Sequence, residues 1–298
     1  MLLAGGLGLE GKSQTMLESR EIQRLKQEFG WSDLSINEDG VRVPKKLSGA
    51  PISFPSDSWD EEAWNAEGMG IWADIRVEEI SAILVANGLT TMWEVGAGNG
   101  SVCIGLSALG HETIAVEPIY GGARYIASQG LVSFSATLEE LKLPDNSLQS
   151  IGVFDVLEHI EAPAEMLQEF SRVLKNEGFL LITVPAHQFL FSRYDSSIGH
   201  FRRYSVSELR SSLAAGGFDL VEARFLFSFL VPLAWLLRVL PEKLGIQGSA
   251  SSEKSSRIQF RIAQMLSSVF RALVALEKVL RLPFGLSIVA IARPKDKS

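Results

Sequence analysis

From residue 91 onward the chain alternates short unbroken apolar runs with longer stretches of helical period. The runs are TMWEV, TIAVEP, LVSFSAT, SIGVFDVL, FLLITVPA, LVEARFLF and GLSIVAIAR. Their length and flanking turn residues predict seven strands, most of them buried. Between them, residues 101–109, 121–130, the stretch APAEMLQEFSRVLKNEG and the stretch SVSELRSSLAAGG predict helices. Gly178 is expected to cap the third of these. Ser205 with Glu208 predicts a capping box at the start of the fourth, with Tyr204 and Leu209 as its hydrophobic staple. Upstream, Met16, Ile22, Leu25 and Phe29 are spaced for a helix ended by Gly30, and Ile71, Ile75, Ile80, Ile83 and Leu84 for another ended by Gly88. A connection containing proline and serine runs between them to about Ser58. Alternation of this kind predicts an α/β fold: a Rossmann-like, seven-stranded, mostly parallel sheet with helices on both faces.

Before the last strand the pattern breaks. The run FLFSFLVPLAWLL at 225–237 is followed by a serine-rich loop and a helical stretch over 258–282. That stretch puts Ile258, Ile262, Met265, Leu266, Val269, Leu273, Leu276 and Leu280 on one side. The predicted organisation is a mobile N-terminal extension with one helix over 1–58, a core over 59–226, a helical insertion over 227–282, and the last strand with its tail over 283–298. The apolar run is too short to span a membrane. Beside a basic amphipathic helix it suits a lid, a subunit face, a membrane interface or an added helical layer.

Composition narrows the function. At 298 residues and 46% hydrophobic the chain can bury a large core, and a net charge of −7 disfavours a nucleic-acid partner. One cysteine, Cys103, and four scattered histidines (His111, His159, His187, His200) lack metal-ligand spacing, so no metal is expected. The opening MLLAGGLGLEGKSQT does not resemble a secretory leader, and a cytoplasmic location is expected, with peripheral membrane contact through 225–282 open.

Two glycine loops compete for a ligand. GLGLEGKS satisfies a P-loop pattern from Gly6 to Ser13 but lacks the preceding buried strand that the mechanism needs. EVGAGNG has the right context of strand, glycine turn and helix. Its small residues Gly96, Ala97, Gly98 and Gly100 let a ligand lie on backbone N–H groups. Glu94 can receive an ammonium group, and Glu117, at the end of the next strand, can accept both hydroxyls of a ribose. The dinucleotide fingerprint G-x-G-x-x-G is broken, because the third glycine falls at 100 rather than 101.

Taken in order, EVGAGNG, VEP, LKLPDNSLQSIGVFDVLEHI and RVLKNEGFLLITVP resemble the class I S-adenosylmethionine-dependent methyltransferases. The resemblance covers about Trp93 to Leu226, with LPFGLSIVAIARPK resembling the final strand. It implies S-adenosylmethionine as cofactor, its methionine part along Gly96, Gly98 and Gly100 above Glu94, and its ribose on Glu117. Pro118 and Ile119 would flank the adenine, and Phe154 and Asp155 would border the methionine. Thr137, followed by Leu138, stands where the family often has an aspartate. Arg76, one turn from Trp72, would reach the cofactor carboxylate.

The string from Asp195 through GHFRRY resembles a subgroup acting on lipid-, quinone- or glycan-type acceptors. His159 and His200 are the candidate catalytic residues, and Arg202, Arg203 and Tyr204 the candidate acceptor contacts. A strand-capping His159 and an Asp195–Arg203 ion pair are the structural alternatives. The expected activity is O-methylation of a hydrophobic small molecule. The rivals are a nicotinamide-dependent oxidoreductase and a non-catalytic protein that binds a cofactor or a membrane.

Overall fold

The computed structural model describes residues 19–31, 34–44, 71–244, 267–280 and 282–296. The P-loop-like string at 6–13, the start of the 258–282 stretch and the side chain of Trp72 lie outside the described residues. The strands are β1 (Leu34–Ile36), β2 (Arg42–Pro44), β3 (Thr91–Val95), β4 (Glu112–Val116), β5 (Val132–Phe134), β6 (Leu148–Phe154), β7 (Leu174–Pro185), β8 (Phe218–Leu226) and β9 (Ser287–Pro294). They form one sheet in the order β1-β2-β5-β4-β3-β6-β7-β9-β8. Pairing is parallel from β2 to β7 and antiparallel at β1–β2, β7–β9 and β8–β9.

The seven predicted strands are β3 to β9. Among the described residues the sheet has nine strands rather than seven, because a hairpin between the first two predicted helices adds β1 and β2 to one edge. Three residues per strand are too few for a period to show. The turn carries the signal instead: the Asn37 carboxamide accepts the N–H groups of Asp39 and Val41, and Gly40 takes φ 77°.

Gly178 is a second correction. The helix Ala164–Val173 stops five residues before it, and Leu174 already belongs to β7. Leu174 pairs with Leu148 before the register shifts, so the apolar run of β7 extends the strand backwards through the polar 175–177 segment.

Alternate residues of the central strands feed two cores, one on each face. Leu180, Ile182 and Val184 of β7 join Trp93, Ile114 and Ile151 under the helices Arg20–Phe29, Ala164–Val173 and Val206–Ala215. Phe179 and Leu181 join Met92, Leu106 and Val289 under the helices Ile71–Ala86, Ser101–Ala108 and Ser267–Leu280. A strand buried on both sides reads as continuous apolar sequence, which is why these strands were visible as runs. Two other predicted caps are present: Gly30 ends the first helix in the left-handed conformation, and Ser205 and Glu208 cap Val206–Ala215 reciprocally.

Between β8 and β9 the described residues form a helical segment, Val231–Ala234, a π-helical turn Trp235–Val239 and Leu240–Lys243, followed by the helix Ser267–Leu280. Glu277 ties that helix to the end of β8, accepting the Ser228 N–H at 3.2 Å and its hydroxyl at 2.8 Å. No helix among the described residues is long and apolar enough to cross a membrane.

Candidate active site

The register of β3 against β4 sets Glu94 beside Ala115 and Val95 beside Val116, so both strands end level. The chain then turns through Gly96, Gly98 and Gly100, with φ of 73°, 57° and 74°. These values favour glycine at all three positions, but the space around them differs. A Cβ on Gly96 would come within 2.6 Å of Val156, and one on Gly100 within 2.5 Å of Ile126. A Cβ on Gly98 would meet nothing within 4 Å. Gly96 and Gly100 are therefore packed from within, while Gly98 faces the open side where a ligand would lie. Gly96 and Ala97 both donate to the Val116 carbonyl, which fixes the loop against β4.

Two buried carboxylates flank this loop. Glu117 accepts the Gly98 N–H at 2.7 Å on one oxygen and the Ile119 N–H at 2.8 Å on the other. Burial raises its pKa to about 7 against the pull of those two bonds. Each oxygen keeps a second lone pair for a hydroxyl donor. Glu94 is also buried, and its Oε2 has no hydrogen-bond partner among the described residues. Burial raises its pKa to about 8, opposed by hydrogen bonds from Cys103 and by the charge of Arg76. An orphaned buried carboxylate oxygen is costly unless a donor arrives. The ammonium group of S-adenosylmethionine supplies such a donor, and its ribose diol suits Glu117.

Beyond β5, Thr137 caps the turn Glu139–Leu141. Its N–H donates to Glu140 at 2.9 Å, and its hydroxyl accepts the Glu140 N–H. Leu138 is buried beneath it. Pro118 accepts from the Ser135 hydroxyl through its carbonyl. Phe154 ends β6 and packs in the second core. Asp155 follows with φ 55°, accepts the Thr183 hydroxyl at 3.1 Å, and pairs with Arg76 at 2.5 Å. Arg76 thus bridges the helix Ile71–Ala86 to the edge of the cradle. Both partners are partly exposed, so the pair contributes little to stability.

Three residues past Asp155 the fold assembles a cluster that sequence spacing did not suggest. Glu158 is fully buried, and neither carboxylate oxygen has a hydrogen-bond partner among the described residues. Burial, then the charge of Asp155, pushes its pKa well up. The imidazoles of His159 and His200 meet edge to face at 4.6 Å between centroids. Burial and the neighbouring His200 lower the His159 pKa to about 4. His200 places Nδ1 3.1 Å from Asp195 Oδ1 and Nε2 3.8 Å from Glu158 Oε1.

The GHFRRY segment holds this cluster. Asp195 accepts the Ser192 N–H at 2.9 Å and the Arg203 guanidinium through Nε at 2.8 Å and Nη2 at 2.7 Å. Burial pushes its pKa up, but His200 and Arg203 outweigh that and hold it at about 2. Arg203 is therefore engaged by Asp195. Tyr204 is buried and donates its hydroxyl to the Leu157 carbonyl at 3.2 Å, while Arg202 donates to the Glu161 carbonyl at 2.7 Å. The structure brings together Glu94, Gly98 and Glu117, and separately His159 with His200. It turns Arg203 and Tyr204 inward, towards the loop and the core. The residue unmarked by sequence reasoning was Glu158; its signal was an acid beside a histidine just past a buried strand end.

The family model described as a methyltransferase domain matches from Trp93 to Ile182. Residues 93–182 resemble a methyltransferase domain by that match. In Mycobacterium tuberculosis (strain H37Rv) the chain is 30% identical over 129 residues to "Probable S-adenosylmethionine-dependent methyltransferase Rv3030", covering 42% of this chain and 47% of that protein. A similarly named protein of Mycolicibacterium smegmatis is 30% identical over 92 residues, covering 30% and 36%. The match thus spans about half the length of the first of these relatives or less. A crystal structure of a SAM-dependent methyltransferase from Archaeoglobus fulgidus superposes with a TM-score of 0.46 at 22% identity, over 73% of this chain and 94% of that one. The family and sequence matches support S-adenosylmethionine as the cofactor of this segment.

Proposed function

We propose that this protein is an S-adenosylmethionine-dependent methyltransferase that methylates a hydroxyl on a hydrophobic acceptor of lipid, quinone or glycan type. The observation that carries the cofactor assignment is the pairing of an orphaned Glu94 oxygen with a Glu117 already oriented by the Gly98 N–H, on either side of Gly98, the glycine of this loop with open space beside it. Glu94 would hold the ammonium group, Gly98 the methionine backbone, and Glu117 the ribose. Bound there, the cofactor supplies an electrophilic sulfonium methyl. Asp155, fixed by Thr183 and Arg76, borders the point of transfer.

Methyl transfer is an in-line displacement, so most of what the protein contributes is alignment and exclusion of water. A hydroxyl acceptor must also lose a proton, and His159, which feels the charge of Asp155, with its neighbour His200 are the candidates to take it. Support for an apolar acceptor comes from the helical segment at 231–244, which lies against the loop after β7. Arg193 donates its N–H to Glu242 at 3.0 Å, and Arg238 stacks over Tyr194 at 4.5 Å. That segment exposes Leu233, Leu236 and Leu237.

The test is turnover. Purified protein with S-adenosylmethionine is expected to release the demethylated cofactor when given phenolic quinone precursors, hydroxylated lipids or lipid-linked sugars, and not with NAD in its place. Release with none of these, under conditions where the cofactor binds, would contradict the acceptor class. It would favour a protein that binds without catalysis.

A further inference from the structure

Glu158 poses a question the methyltransferase reading leaves unanswered. Its carboxylate is fully buried, with neither oxygen hydrogen-bonded, beside two imidazoles. A buried carboxylate without donors is expensive, and a cation would relieve that cost. One ligand atom from each of Glu158, His159 and His200 can be chosen so that all lie within 4.8 Å of one another. Two atoms sharing one zinc ion at about 2.1 Å are about 3.4 Å apart at the tetrahedral angle. The separation of 3.8 Å between His200 Nε2 and Glu158 Oε1 is close to that.

The surroundings fit as well. Asp195 lies 3.1 Å from His200 Nδ1 and is itself held by Ser192 and Arg203. Donation of the Nδ1 proton to Asp195 leaves Nε2 as a lone pair aimed at Glu158. A carboxylate holding the far nitrogen of a ligating histidine is the usual outer shell of a metal site.

We propose that Glu158, His159 and His200 bind one divalent first-row transition-metal ion, of the class that prefers imidazole with carboxylate, such as zinc or cobalt rather than magnesium. Three protein ligands leave a fourth position for water or an acceptor oxygen. An acceptor hydroxyl bound there would lose its proton more easily, and the two imidazoles would then act through the ion rather than as bases. That use rests on the methyltransferase reading; binding of the ion does not.

The experiment uses the full chain without a histidine tag, stripped with a chelator and titrated with Co²⁺, Zn²⁺ and Mg²⁺ in the absence of S-adenosylmethionine. Expected are one Co²⁺ bound per chain with ligand-field absorption in the visible, its displacement by Zn²⁺, and no saturable binding of Mg²⁺. Glu158→Gln and His200→Asn should each weaken Co²⁺ binding at least about a hundredfold, at or beyond the upper end of what losing an outer-shell partner costs. His187→Asn, outside the cluster, should bind like wild type. Should His200→Asn fail to fold, the near-isosteric Glu158→Gln decides. Wild type without stoichiometric Co²⁺ or Zn²⁺, or Glu158→Gln binding as tightly as wild type while melting normally, would overturn the site. A parallel titration with S-adenosylmethionine on the same preparation reports separately whether the cofactor cradle stands.

Discussion

At the scale of single residues, Glu94 and Glu117 are in conflict with their surroundings until a ligand arrives. Burial holds their pKa values at about 8 and about 7, above the ordinary 4.5. The folded chain therefore keeps protons that the unfolded chain has released. The stability these groups contribute is complete below pH 4.5 and is lost as pH rises through about 7 and 8. Glu94→Gln keeps the shape and removes the charge. It should raise the melting temperature of the ligand-free protein at about pH 8.5, with the gain vanishing near pH 5. The same variant should lose roughly tenfold or more in affinity for S-adenosylmethionine, since a charge-assisted bond contributes about 1.5–3 kcal/mol. Melting scans at the two pH values and a titration separate these effects; a Gln variant that melts lower than wild type at the higher pH would contradict the buried-charge account. Gly98→Ala tests the open face. The left-handed backbone costs alanine about 1–2 kcal/mol and nothing among the described residues blocks its methyl group, so affinity should fall by more than stability.

At the scale of elements, the first helix and the hairpin are integral to the sheet. Trp31 is buried against Phe134, and its indole donates to the Leu141 carbonyl at 2.9 Å. Trp31→Ala should destabilise the protein by about 3–5 kcal/mol in urea unfolding, and by far less if this edge were loosely attached. The central strands were legible because burial on both faces leaves apolar runs, and the helix ends because Gly30 and Ser205 carry their capping chemistry locally. The hairpin was not, since strands as short as 34–36 and 42–44 are made by pairing, β1 with β2 and β2 with β5, rather than by their own pattern. Gly178 misled for a similar reason: a glycine after a helical period looks like a cap, but pairing with β6 had already claimed Leu174. In the site, Glu94, Gly98 and Glu117 were legible from one loop and the end of the next strand. Glu158 with His200 was not, because 41 residues intervene and the loop is brought back by tertiary contacts without sequence period, the Phe201 N–H on the Glu158 carbonyl at 2.8 Å and the Tyr204 hydroxyl on the Leu157 carbonyl at 3.2 Å.

At the scale of the whole molecule, the cofactor cradle lies where β3 and β4 end, and the apolar helical segment 231–244 lies against the loop that follows β7. The exposed Leu236 and Leu237 predict contact with a lipid surface. Full-length protein should float with phosphatidylcholine vesicles, and a Leu236→Glu, Leu237→Glu double variant should not. Equal flotation of both would remove the membrane from the account and leave the segment as a lid or a subunit face. The central claim is narrower: the loop from Glu94 to Glu117 binds S-adenosylmethionine. Calorimetric titration of wild type and Glu117→Ala with S-adenosylmethionine, its demethylated product and NAD tests it most directly. Saturable binding of the first two by wild type, weakened at least about tenfold in the variant, is the predicted result. Binding of NAD in their place, or sulfonium binding that is indifferent to Glu117, would contradict it.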